Sequence, residues 1–252
     1  MPDLVQDCQK SLAFPQMETR FHDISRGTTG TCGWLSRHTI YESWSVRKHG
    51  LLWIKGKPGS GKSTLLKYAI DNLEVGHDDL VLSFFFHGRG DALQRTPLGL
   101  FRSLLHQVLG QDPNLIPELV DNFSKRCERI GAPGTEWQWH KEELVRFFEV
   151  SLHKALEARS VWLFVDALDE CGEEAAVELT EGFESILANL PSTASKGLHI
   201  CFSCRHYPDL NPDSTSQICL EDENSQDISI YVDTQLSELC RTAPSIPATI
   251  TR

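Results

Sequence analysis

Eight consecutive residues, Gly56, Lys57, Pro58, Gly59, Ser60, Gly61, Lys62 and Ser63, satisfy the phosphate-loop spacing G-x-x-x-x-G-K-S. They follow the apolar run 51–54 and precede a helical pattern over 63–73, the strand–loop–helix setting this chemistry needs. Glycines let backbone N–H groups turn inward around a β-phosphate, and the helix beginning near Lys62 adds its positive end. Lys62 would neutralise β- and γ-oxygens, Ser63 would ligate Mg²⁺ through its hydroxyl, and Thr64 continues the same phosphate-binding turn. The bland alternative, a glycine-rich turn with a solvated lysine, does not account for both flanking elements.

A magnesium-binding loop needs an acidic residue at the tip of a neighbouring strand. The apolar run 161–165 ends in Asp166, which is expected to hold Mg²⁺ through water. Asp169 and Glu170 follow near enough to orient or deprotonate an attacking water, with Asp169 the preferred base. Both could instead simply begin the helix at Glu173, where carboxylates favour the positive end. The next apolar run, 199–203, leads to Arg205, whose guanidinium could report a γ-phosphate or pair at the surface with Asp209. His206 and Pro208 shape that rim without chemistry of their own. Trp34 and Trp44 either flank a nucleotide base or pack in the core.

These residues must be positioned by a larger frame. Five short apolar runs read as buried strands, at 51–54, 80–86, 161–165, 199–203 and 218–220. Between them lie helical periodicities at 63–73, from Pro97 with Thr96 as N-cap and Gly110 past the end, at 140–156 and at 175–190. A last helix is expected over 225–239. Alternation of this kind predicts a parallel, doubly wound α/β sheet with helices on both faces. The segment 112–137 holds a short helix at 116–127 among mobile loops. Residues 1–33 read as a lead-in, 34–240 as the domain and 241–252 as a disordered tail.

Composition narrows the partners. Lys+Arg 24 against Asp+Glu 35 gives a net charge of −11, which disfavours binding to nucleic acid. No apolar stretch approaches the roughly 20 residues of a membrane span, and no signal pattern opens the chain, so a cytoplasmic location is expected. Eight scattered cysteines read as free thiols. Cys201 and Cys204 have C-x-x-C spacing, but on a strand such positions face opposite ways and cannot share an ion.

The ordered segments TCGWL, GLLWIKGKPGSGKSTLLK, SFFFHGRG, TPLGLFRSLLHQVL, VWLFVDALDE and HICFSCR resemble the NACHT domain of fungal NLR-like proteins, within the STAND class of signalling NTPases. The resemblance runs from about residue 14 to 239 and includes the small residue after the Mg²⁺ aspartate, here Ala167. It implies a three-layer P-loop NTPase core with a five-stranded parallel sheet of order 5-1-4-3-2. It also implies a switch that is off with ADP and oligomerises with ATP (or the guanine equivalents), with Mg²⁺, in association with other NACHT proteins during immunity or heterokaryon-incompatibility cell death. Such proteins carry effector and helical or repeat modules around this domain, for which 252 residues leave no room. Slow hydrolysis, a non-hydrolysing interaction module, and a small-molecule kinase remain the three readings of the loop.

Overall fold

The computed structural model describes residues 2–190, 194–207 and 216–242. Asp209 and Pro208 lie outside these residues, as does the expected tail from 243 onward. In chain order the elements are α1 (Pro2–Leu12), α2 (Thr19–Asp23), α3 (Thr39–Val46), β1 (His49–Lys55), α4 (Lys62–Asp71), β2 (Leu80–Phe85), α5 (Pro97–Gln111) and α6 (Pro117–Arg129). They continue with α7 (Lys141–Ala155), β3 (Val161–Asp166), α8 (Glu173–Ala188), β4 (Leu198–Cys204), β5 (Gln217–Cys219), α9 (Leu220–Glu223) and α10 (Ser225–Thr242).

All strand pairs are parallel and the order is β2-β3-β4-β1-β5, the arrangement implied by the resemblance. Because side chains alternate along a strand, one face of β1 carries Trp53 and the other Leu52 and Ile54, all inaccessible to solvent. The Trp53 face, with Leu163, Val165, Ile200 and Phe202, is covered by α5, α7 and α8. The opposite face, with Phe164 and Cys201, is covered by α3 and α4. Three layers result, with apolar side chains whose burial stabilises by roughly 1.5–3 kcal/mol each. Cys201 and Cys204 fall in the two different layers, as strand alternation requires. Among the described residues no disulfide joins any cysteines.

Three sequence expectations change in detail. Gly110 lies inside α5 and not beyond it; the helix stops where Asp112, forced extended (φ −154°, ψ 96°) ahead of Pro113, cannot continue. Thr96 is the N-cap of α5, yet its hydroxyl makes no capping bond. The segment after α6, read as mobile loop, is anchored by Trp137 and Trp139, both buried and in edge contact at 4.9 Å, with the Arg126 guanidinium over both rings. Aromatic burial there outweighs the turn residues Pro133 and Gly134.

The N-terminal residues are part of the packing. Cys8 and Leu12 of α1 are fully buried in the α5 layer, and Arg102 of α5 donates to the carbonyls of Ser11, Leu12 and Ala13, the orphan acceptors at the end of α1. Further on, Lys67 of α4 donates to Phe21 O and Ile24 O, each at 2.7 Å, which holds the chain entering residues 25–34 against α4.

Candidate functional site

β1 is buried between β4 and β5, so its C-terminal end and the turn after it open in the crevice where α/β sheets bind ligands. The turn needs a left-handed backbone at Gly59 (φ 76°) and Gly61 (φ 96°). A Cβ at either would meet nothing within 4 Å, so glycine is required there by conformation and not by space. Gly61 is also the N-cap of α4 and offers no capping side chain, which leaves the first amides of that helix free to face an anion. Lys62 curls over the loop, donating to Gly56 O at 2.7 Å and Lys57 O at 2.8 Å. Burial lowers its pKa, opposed by the charges of Asp169 and Asp166.

Asp166 shares strand parity with Trp162 and Phe164 and therefore points to the α4 side of the sheet. It is completely buried. Its Oδ1 accepts the Ser203 hydroxyl, whose oxygen in turn accepts the Ala167 N–H at 2.9 Å. Oδ2 has no hydrogen-bond partner among the described residues. Burial raises the Asp166 pKa, while the Ser203 and Ser63 hydroxyls and the Arg20 and Lys62 charges act the other way. A buried carboxylate oxygen without a partner, beside a serine hydroxyl and a lysine, is a donor set that fits a hard divalent cation such as Mg²⁺.

Ala167 adopts φ 52°, ψ 48°, a left-handed turn that directs the chain out of β3 into the short 3₁₀ segment Leu168–Cys171. That segment presents Asp169 and Glu170 to β4. Arg205 Nε lies 3.1 Å from Asp169 Oδ2 and its Nη2 lies 3.7 Å from Glu170 Oε1. Glu170 Oε2 also accepts the Gly88 N–H at 2.6 Å, so the ends of β2, β3 and β4 are joined through these carboxylates. A Cβ at Gly88 would press on Glu170 Oε2 at 3.2 Å. Phe84, Phe85 and Phe86 are buried packing, and Arg89 beyond them is exposed.

Sequence reasoning missed two contributors, a pair of side chains that grip the loop and a cavity beside it. Glu221, at the start of α9, accepts the Lys57 backbone N–H through Oε1, and Asn224 Nδ2 donates to Ser60 O at 2.9 Å. Burial would raise Glu221, but the Lys57 and Glu221 amides, the Cys219 thiol and the His206 ring outweigh it and hold the carboxyl at about 2. The available signal was position: Glu221 follows the fifth apolar run, whose C-terminal end must share an edge with the phosphate loop in a parallel sheet. The second contributor is a cavity of about 360 Å³ beside the loop, with Gly59 and Thr64 at its base, Thr28 and Trp34 on one wall and Ile228 and Tyr231 on the other. Asp227 ties the walls together by accepting Cys32 N–H at 2.8 Å and Trp34 Nε1–H at 3.0 Å. The volume falls in the range of small-molecule sites. Trp34 thus lines the cavity, whereas Trp44 is core, in edge contact with Trp162, Phe164 and His199.

The parallel sheet of this order, the loop between β1 and α4 and the buried aspartate ending β3 define the class: a three-layer α/β fold of the P-loop NTPase type. The family model described as Nephrocystin 3, N-terminal, matches residues 30–205, and the chain belongs to that family. It is 28% identical over 178 residues to the Vegetative incompatibility protein HET-E-1 of Podospora anserina, a match covering 70% of this chain. The chain spans 12% of that relative's length. A chain in a structure of Drosophila ORC bound to DNA aligns with TM-score 0.36 and 13% identity, over 96% of this chain and 56% of the other. Among the described residues no helix is long and apolar enough to cross a membrane.

Proposed function

We propose that the chain is the nucleotide-binding core of a NACHT-type signalling NTPase, taking ATP/ADP or GTP/GDP with Mg²⁺ and turning over slowly. The loop 56–61, through the glycine amides at Gly59 and Gly61, and the side chains of Lys62, Ser63 and Thr64 bind the phosphates, and the cavity beside Trp34 takes the nucleoside. Ser63 and Asp166 hold Mg²⁺, which when bound supplies positive charge to the phosphate oxygens. The observation that carries this reading is the pairing of an uncapped α4 N-terminus, left-handed at Gly59 and Gly61, with a fully buried Asp166 that keeps one oxygen unpartnered.

Asp169 is the base that activates water, Glu170 orients it, and Arg205 senses the γ-phosphate. The contacts of these three support slow turnover: Asp169 is engaged by Arg205, and Glu170 by Arg205 and Gly88, so water activation would require those contacts to open. The same contacts favour the second reading, a module that binds nucleotide and self-associates without hydrolysis. The likeness to a vegetative incompatibility protein supports a role in a cytoplasmic, self-associating switch for cell death or immunity. Phosphate release separates the two readings. Wild type above background, with Asp166→Asn and Asp169→Asn at background, supports the hydrolysing switch. Equal background rates in all three leave the non-hydrolysing module.

A further inference from the structure

The Glu221 carboxylate that grips the phosphate loop has a second oxygen turned to the other side. Oε2 lies 3.2 Å from His206 Nε2 and 3.3 Å from Cys219 Sγ, and one donor atom from each of the three residues falls within 4.8 Å of the other two. They come from three places: the segment just after β4, the last residue of β5 and the second residue of α9. We propose that His206, Cys219 and Glu221 form a three-ligand site for a thiophilic divalent cation of the zinc class, seated beside the phosphate loop.

The spacing supports this. Zinc bonds of about 2.0 Å to nitrogen and oxygen and about 2.3 Å to sulfur, at tetrahedral angles, require ligand separations of about 3.3 Å for N···O and about 3.5 Å for S···O. The observed edges are within a few tenths of an ångström of both. The donor set supports it as well. One imidazole, one thiol and one carboxylate select zinc over magnesium or calcium, which take oxygen ligands. The site is therefore chemically separate from the Ser63 and Asp166 pair. Three protein ligands leave a fourth position for water.

The carboxylate is also fixed from behind. Glu221 Oε1 accepts the Lys57 amide, an outer contact of the kind that orients a metal-ligating carboxylate. In the metal-free protein the Cys219 S–H donates to Glu221 Oε2. On binding, that S–H bond breaks, a sulfur–metal bond forms, and the proton leaves to solvent. An ion here would hold Glu221 in place and so fasten β5 and α9 to the loop through Lys57. The Cys201/Cys204 pair, which has the more familiar spacing, is divided between two faces of the sheet and offers no such geometry.

Cobalt(II) is the probe, because a tetrahedral thiolate site gives it a ligand-to-metal band in the near ultraviolet and strong visible bands, which an all-oxygen octahedral site lacks. Chelator-treated full chain titrated with Co²⁺ is expected to develop both at one ion per chain. Zn²⁺ should abolish them and excess Mg²⁺ should not. Cys219→Ser should remove the thiolate band, His206→Gln should weaken Co²⁺ affinity at least about tenfold, and Cys127→Ser, on α6, should change neither. Absence of the thiolate band in wild type, its persistence in Cys219→Ser, or unchanged affinity in His206→Gln each overturns the proposal. The wild-type result stands whatever the variants' stability.

Discussion

Arg205 and Asp169 meet twice. The guanidinium Nε is 3.1 Å from Asp169 Oδ2, and the Arg205 backbone N–H donates to Oδ1 at 3.1 Å. The backbone bond fixes the carboxylate at the tip of β4 regardless of the side chain. The half-exposed guanidinium can therefore leave for a γ-phosphate without dismantling the site. Arg205→Ala is predicted to cost only about 1 kcal/mol, since the guanidinium is half-exposed and the buried Asp169 carboxylate keeps its backbone bond. It should erase most of the preference for nucleoside triphosphate over diphosphate. Denaturant unfolding and titration calorimetry with both nucleotides check the two halves.

Ala167 carries a backbone conformation that L residues other than Asn and Asp rarely adopt, at the point where Asp166 gives way to the carboxylate-bearing turn. Ala167→Gly should be neutral within about 0.5 kcal/mol, because relief of strain is offset by the entropy of a freer unfolded chain. Ala167→Val should cost about 1–3 kcal/mol, because a β-branched residue is strained there. Urea midpoints of the two variants give the comparison.

His199 stacks on Trp162 with ring centroids 3.8 Å apart and lies edge-on to Trp44. Burial lowers its pKa to about 4 from 6.5, with His49 adding to the effect and a Trp44 backbone hydrogen bond and Asp79 opposing it. The folded state therefore stays neutral while the unfolded chain takes up a proton. Stability is full above about 6.5 and declines as pH falls from 6.5 toward about 4, at no more than about 1.4 kcal/mol per pH unit from this group. His199→Phe should flatten that part of the curve. Thermal melts at half-unit intervals across the window test it.

The five strands were legible because each is a short apolar run, and β1, β3 and β4 extend at most two residues beyond the runs at either end. The loop and Asp166 were legible for a related reason: their chemistry depends on local spacing and on strand ends. Glu221 and Asn224 were not, because nothing in LEDEN distinguishes a carboxylate aimed at a loop amide from one in solvent. The cavity wall at 25–34 was hidden too. Its turn-rich sequence reads as a connector, whereas Asp227 binds it and Lys67 holds the residues just before it, across 43 to 195 positions of sequence. Trp34 and Trp44 illustrate the limit well. Both are aromatic residues shortly before the loop, and tertiary packing alone sends one to the cavity and the other to the core.

Titration calorimetry of Mg²⁺-nucleotide binding to wild type and Lys62→Ala tests the central claim most directly. Among the described residues the Lys62 ammonium bonds two loop carbonyls, so the variant should fold with a melting temperature close to wild type. It should lose affinity by about 1.5–3 kcal/mol, the contribution of a charge-assisted contact, or roughly tenfold to more than a hundredfold. Wild-type affinity in a folded Lys62→Ala protein would contradict the assignment of residues 56–63 as the phosphate site.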